Sequence, residues 1–164
     1  MSNLICPYCG AKAKLVDQLV VYHRRYGRKK DKMWVCGNYP DCDAYVGCHP
    51  GTEIPLGRLA DQKLRNFKQE AHRQFDPLWK CGLMTRAEAY EWLAVMLHIS
   101  REECHIGKFN VGQCKRVIEI CKKQDNEQIC QYRLEHYGYK LESEKPVFDR
   151  GYQHSRNQRK RGRK

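Results

Sequence analysis

Ten cysteines stand in this chain of 164 residues, and four of them fall at spacings that can do chemistry. Cys6-Pro7-Tyr8-Cys9-Gly10 presents a C-x2-C pair, and Cys36-Gly37-Asn38-Tyr39-Pro40-Asp41-Cys42 presents a C-x5-C pair. Two thiolate pairs, each held in a tight turn, can close a tetrahedron of sulfurs around one ion. Gly10 supplies a turn without a Cβ after the first pair. Asn38, Pro40 and Asp41 are turn formers inside the second. The pattern predicts a structural zinc (Zn2+) site with Cys6, Cys9, Cys36 and Cys42 as ligands.

Short strands must bring those pairs together. Residues 15–22 alternate weakly and are rich in Val, Leu and Tyr, which predicts a strand. Residues 33–36 predict a returning strand and residues 43–47 a third, before Pro50-Gly51 breaks the pattern. Between the first two lies a basic turn with Arg24, Arg25, Tyr26, Arg28, Lys29 and Lys30. The result is a zinc ribbon with a long cationic hairpin tip. Tyr22, Tyr26, Trp34, Tyr39 and Tyr45 interleave with those cations, a combination that stacks unpaired bases while tracking phosphates. Some of these rings must serve as ribbon core. Trp34, beside a ligand, suits either role, and Tyr26 in the tip suits stacking.

The two cysteine motifs resemble the C4 zinc ribbons at the C-terminus of bacterial type IA topoisomerases. Those modules carry C-P-x-C-G and C-x-x-Y-P-x-C and bind single-stranded DNA, so the resemblance implies a single-strand-binding ribbon. It implies no topoisomerase catalysis, because nothing here is similar to the tyrosine-bearing catalytic domain. The run Asp43-Ala44-Tyr45-Val46-Gly47-Cys48-His49-Pro50-Gly51-Thr52, with Pro55-Leu56-Gly57-Arg58-Leu59-Ala60, resembles a narrower phage and prophage family of zinc-finger-containing domain proteins. Ala71-His72, Phe75-Asp76-Pro77-Leu78-Trp79-Lys80 and His105-Ile106-Gly107-Lys108-Phe109 fit the same family, over residues 6–122. That likeness carries no activity with it.

From Pro55 onward the period becomes helical. Ala60, Leu64, Phe67, Ala71 and Phe75 form one apolar stripe, with Lys63, Arg65, Lys68 and Arg73 on other faces and Pro77 closing the helix. Thr85-Arg86-Ala87-Glu88 is a capping-box signature for a helix burying Ala89, Trp92, Leu93, Met96 and Leu97. Ser100-Arg101-Glu102-Glu103 reads as a second box opening a short helix. Asn110 starts a helix with Cys114, Val117, Ile118 and Cys121 on its stripe, and Asn126 caps a last one ending at Gly138. Residues 93–100 have some likeness to a helix-turn-helix, with His98 where that turn usually has glycine, but an ordinary helical corner is the better reading. The expected fold class is therefore α+β: a C4 zinc ribbon over 1–52, a small helical bundle over 53–139, and a basic disordered tail over 140–164.

The charge is +12, lowered to about +10 if four thiolates hold one zinc ion. Such a surplus points to a polyanionic partner, nucleic acid before membrane. Seven of the twelve charges sit in residues 150–164, Arg159, Lys160 and Arg161 among them, leaving +5 for the rest. With almost no apolar content this tail cannot offset its ordering entropy. Residues 1–19 are broken by Cys, Lys and Asp, unlike a signal peptide, and no apolar run approaches a membrane span. The expectation is a cytoplasmic protein (host cytoplasm if phage-encoded) with no membrane partner and cysteines that are ligands or buried apolar residues.

Other candidate sites have plainer readings. Cys48-His49 could substitute as ligands, but Cys48 reads better as packing beneath the ribbon. Cys104, His105, Cys114, Cys121 and Cys130 do not form a convincing second metal set, since Cys114 and Cys121 share an apolar stripe. His72 and Asp76 could pair as base and orienter, though an i,i+4 contact is usually structural. No phosphate-cradling glycine loop or nucleophile elbow is present. The first function expected is nucleic-acid binding, with single-stranded DNA preferred and no enzymatic role. The second is an inhibitor or adaptor that binds a host nucleic-acid-processing or defence protein, and a nuclease is the weakest.

Overall fold

The computed structural model describes residues 4–23 and 32–137. The tip residues Arg24, Arg25, Tyr26, Arg28, Lys29 and Lys30, and the tail with Arg159, Lys160 and Arg161, lie outside the described residues. The architecture is α+β: a three-stranded sheet with the cysteine cluster comes first, and helices follow.

Strand β1 (Lys14–Asp17) pairs antiparallel with β2 (Lys32–Val35), placing Leu15 opposite Trp34 and Val16 opposite Met33. On the other side of β2 runs β3 (Tyr45–Gly47), with Val46 opposite Trp34. The first strand is shorter than its composition suggests. At Asp17 the carboxylate accepts the Leu19 N–H at 2.9 Å, the side-chain turn that Asp favours. The chain then coils into the single turn α1 (Leu19–Tyr22), so Val20 and Tyr22 belong to a helical turn and not to the sheet.

The cluster around the cysteines is small: Cys6, Ala13, Cys36, Ala44 and Leu59, with Leu4, Ala11, Trp34, Cys42 and Val46 packed around it, while Met33 and Val35 of β2 are buried as well. Leu59 arrives from the segment after the ribbon, which runs back along it through bridges Cys48–Pro55 and Tyr45–Ala60. Arg65 then ties the first long helix to the ribbon. Its guanidinium stands 4.0 Å over the Tyr45 ring and donates to the Asp43 carboxylate at 2.6 Å and carbonyl at 2.7 Å. The periodicity puts Arg65 off the apolar stripe, and the ribbon covers the face on which it lies.

The helical half opens with α2 (Gln62–Phe75), capped by Asp61, whose side chain accepts the Leu64 N–H at 2.7 Å. Pro77 ends that run and starts the short α3 (Pro77–Lys80) as its first residue. Thr85 and Glu88 form the expected capping box on α4 (Arg86–Leu97). This helix is buried on nearly every side, by Ala89, Tyr90, Trp92, Leu93, Ala94 and Leu97. Glu88 is buried as well, with its carboxylate accepting from Thr85 N–H at 2.7 Å and lying 3.4 Å from buried Arg133. Removing Arg133 would leave this buried carboxylate without its countercharge, a costly loss.

At the end of α4, His98 adopts the left-handed conformation (φ 55°) and Ile99 N–H returns to Ala94 O at 3.1 Å. Beyond it the Ser100–Glu103 box exists as side-chain bonds, Oγ accepting Glu103 N–H at 3.3 Å, but it closes a turn and opens no helix. Fully buried Cys104 draws the chain inward there, and a 3-10 turn follows at Ile106–Lys108. This is a helical corner without the second helix that a helix-turn-helix needs. Asn110 and Gln113 box the start of α5 (Val111–Lys123), which lies along α2. The last helix, α6 (Asn126–Tyr137), is capped one residue earlier than expected. Asp125, whose side chain accepts Gln128 N–H at 2.8 Å, does the work assigned to Asn126.

Trp92, Phe75, Phe109, Leu64, Met84, Leu93, Ile106 and Val117 fill one core, to which α6 adds Ile129. Gly57 and Gly107 let two backbones touch inside this half, since a Cβ on Gly57 would sit 2.1 Å from the Gly107 carbonyl oxygen. That same carbonyl accepts from Lys68 Nζ at 2.6 Å. Lys68 is half-buried, and burial lowers its pKa to about 8, so this lysine off the apolar stripe braces the Gly107 backbone.

Candidate metal centre

The first knuckle is closed by backbone bonds from Cys6 N–H to Ala11 O at 2.9 Å and Gly10 N–H to Cys6 O at 3.0 Å. Gly10 takes a φ of +74°, where a side chain would be strained. The second is closed by Tyr39 N–H to Cys36 O and Cys42 N–H to Asn38 O, both at 3.0 Å, around a cis peptide at Tyr39–Pro40. Cys36 itself is tethered to β3's approach by its N–H on Ala44 O at 2.8 Å. At Gly37 a Cβ would lie 2.5 Å from the Lys12 carbonyl oxygen, so only glycine lets the two knuckles approach.

The four sulfurs of Cys6, Cys9, Cys36 and Cys42 all lie within 4.8 Å of one another. Across the knuckles, Cys6 Sγ is 3.6 Å from Cys42 Sγ and Cys9 Sγ is 3.2 Å from Cys36 Sγ. A tetrahedron of sulfurs about 2.3 Å from a central zinc ion has edges of about 3.8 Å. The donor set therefore fits a four-coordinate metal ion, and zinc in particular. None of the ten cysteines is in a disulfide.

Burial and backbone donors act on these sulfurs in opposite directions, burial raising Cys36 and Cys42 and the donors lowering them. Cys9, Cys36 and Cys42 each receive a backbone N–H from two residues further on, Ala11, Asn38 and Ala44 respectively. The Ala11 bond is the main influence holding the Cys9 pKa down to about 7. Burial pushes Cys36 up to about 12, against the Asn38 N–H at 3.4 Å. Four crowded sulfurs cannot all ionise without a cation among them, which is why a metal would displace their protons. The Asn38 side chain adds a donor 3.6 Å from Cys9 Sγ. Asn38 reads in the sequence only as a turn former, and its bond to sulfur has no sequence signature.

Cys48 is half-buried beside the ribbon and outside this cluster. Cys104 and Cys114 are fully buried in the helical core, their thiols pushed up to about 11 by burial. His72 Nδ1 lies 3.1 Å from Asp76 Oδ1, while Lys80 holds the other carboxylate oxygen at 2.8 Å, an arrangement within one helical junction.

Of the predicted nucleic-acid contacts, Trp34 and Tyr39 fall on described residues. Trp34 is half-buried against the ribbon cluster and its Nε1–H donates to Glu53 O at 2.8 Å. Tyr39 stands half-exposed on the second knuckle. Tyr22 is 38% exposed and meets Tyr45 edge-on, with ring centroids 5.9 Å apart. No helix among the described residues is long and apolar enough to cross a membrane.

No curated protein and no solved structure matches the chain. A family model does match it, over residues 2–124, and the family is described as a zinc-finger-containing domain. That span takes in both knuckles, the sheet and the helices through α5, so the chain belongs to the family of zinc-finger-containing domains.

Proposed function

We propose that this is a zinc-ribbon protein that binds nucleic acid, single-stranded DNA by preference, as a phage-type accessory factor. The observation that carries the reading is the exposed Tyr22 stacked edge-on to Tyr45, itself under Arg65. Tyr22 stands where the chain enters the segment bearing Arg24, Arg25, Tyr26, Arg28, Lys29 and Lys30. Exposed rings beside cations suit unpaired bases and their phosphates. The topoisomerase-like knuckle motifs and the charge of +12 support the same reading. Trp34, bonded to Glu53 and packed on the cluster, serves the ribbon's core first.

Fluorescence anisotropy with labelled single- and double-stranded oligonucleotides over a salt series tests it. Binding should favour single strands and weaken steeply with salt, because phosphate contacts release counterions. Deleting residues 150–164 should flatten that slope for every sequence alike, since a cationic tail reads phosphates and not bases. Absence of binding at moderate salt would remove the proposal.

A second reading has its own observation. Leu19, Val20, Ile54 and Leu56 are exposed apolar residues near the ribbon, Ile54 at 62%. A protein-binding inhibitor or adaptor would use such side chains. Pull-down from host lysate after nuclease digestion separates the two, because a protein partner survives that treatment.

A further inference from the structure

On the helical half, remote from the cysteine cluster in sequence, a cleft of about 310 Å³ is lined by Arg86, Ala87, Tyr90, Arg101, Cys104 and His105. Its size is at the small end of ligand sites. Three separate elements supply it: the first turns of α4, the turn after His98, and the cap of the 3-10 helix. The two arginines converge on one ring, Arg86 at 5.7 Å and Arg101 at 5.2 Å from the Tyr90 centroid. Among the described residues neither has a carboxylate partner, so their guanidinium N–H forks are held by aromatic faces and the Tyr90 oxygen.

The remaining groups add donors. His105 Nδ1 accepts the Gly107 N–H at 3.2 Å, which leaves the neutral ring's proton on Nε2. The field at His105 is positive from several sides: burial and the charges of Lys108, Arg86, His72 and His49 all disfavour its protonation. No carboxylate lines the cleft. Asp76, the acid that faces Tyr90, is already engaged by His72 and Lys80. A concavity with two unopposed guanidinium groups, an imidazole N–H and no acid is built to take an anion with several oxygens.

We infer that the cleft between Arg86, Tyr90, Arg101 and His105 binds a phosphate monoester, independently of the ribbon's proposed role. Paired forks match a dianion with three terminal oxygens, where a lone carboxylate would leave one fork unused. The monoester can be a small phosphorylated molecule or the phosphorylated end of a nucleic acid, and the cleft chemistry is the same for both.

Calorimetric titration of the full, zinc-loaded chain with inorganic phosphate at constant ionic strength tests the inference. Saturable binding at one site is expected, weakened at least tenfold in Arg86→Gln and in Arg101→Gln. Both side chains are exposed, so melting temperatures should stay at the wild-type value. Arg101→Lys should fall between wild type and Arg101→Gln, because it keeps charge but loses the fork. An oligonucleotide with and without a 5′-phosphate, compared with a mononucleotide monophosphate, then identifies the source. A preference for the phosphorylated strand that disappears in Arg101→Gln assigns a nucleic-acid end; mononucleotide binding without that preference assigns a small molecule. Heat that never saturates, or glutamine variants that bind phosphate like wild type, would overturn the inference.

Discussion

In the ribbon the buried apolar residues are two cysteines, two alanines, Met33, Val35 and Leu59, and that leucine is borrowed from the connecting segment. In the helical half they include Trp92, Phe75, Phe109, Leu64, Met84, Leu93, Ile106 and Val117. The sheet has strands of four, four and three residues, while α2, α4 and α5 run for 14, 12 and 13. A sheet so short, with so little apolar surface to hide, has no source of order comparable to the helical core. The four sulfurs supply it once an ion joins them. One chain thus holds a region organised by coordination next to a region organised by packing, clamped through Arg65, Asp43 and Tyr45.

The sharpest break in that comparison is at the sulfurs. Cys36→Ser should cost the ribbon on the order of 10 kcal/mol of metal-coupled folding free energy. Amide exchange should then accelerate through β1, β2 and β3 while α4 and α5 stay protected. Helices that lose protection together with the strands would show one cooperative unit across the Arg65 clamp. Next in size is the converse test. Trp92 is 1% exposed, and Trp92→Ala should cost about 3–5 kcal/mol in denaturant unfolding, with metal content unchanged.

Alkaline pH should separate the halves as well. Burial holds the thiols of Cys104 and Cys114 at about 11 and Cys121 at about 12, above the ordinary 9.0. The unfolded chain therefore ionises these thiols first, so their contribution is complete below pH 9 and is lost as pH rises toward 11 to 12. Lys68 acts oppositely: with its pKa lowered from 10.5 to about 8, it favours folding as pH rises between those values. With three thiols against one amine, the stability of the helical half should fall from pH 9 to 11. Thermal melts across that range check the sign, and a rise throughout would contradict it.

Smaller effects sharpen the two surfaces. Tyr26→Ala should weaken single-strand binding by roughly 1–3 kcal/mol with the salt slope nearly unchanged, since stacking releases no ions. The same anisotropy series reads both quantities. Thr85→Ala removes one bond of the α4 capping box and should cost about 1 kcal/mol. A chemical denaturation curve shows it as a shifted midpoint at constant slope.

The comparison also explains what the sequence revealed and what it hid. Ligand spacing, capping boxes at Thr85 and Asn110, and the apolar stripes of α2 and α5 are local patterns, and local patterns are legible. Contacts that override a local rule are not. Asp17 turned a strand into a helical turn, Asp125 took the cap from Asn126, and buried Cys104 shortened the Ser100 box to a turn. Arg65 and Lys68 lie off the apolar stripe of α2, and their engagement is visible only once the ribbon and Gly107 are set against them. The arginine cleft is hidden for the same reason, since Arg86, Tyr90, Arg101 and His105 share no motif and meet only after folding.

Metal analysis of the purified, folded protein bears most directly on the claim that coordination organises the ribbon. The four converging sulfurs predict about one zinc ion per chain, retained through gel filtration and released when Cys36→Ser or Cys42→Ser is introduced. A preparation with its sheet intact and no bound metal would contradict the account.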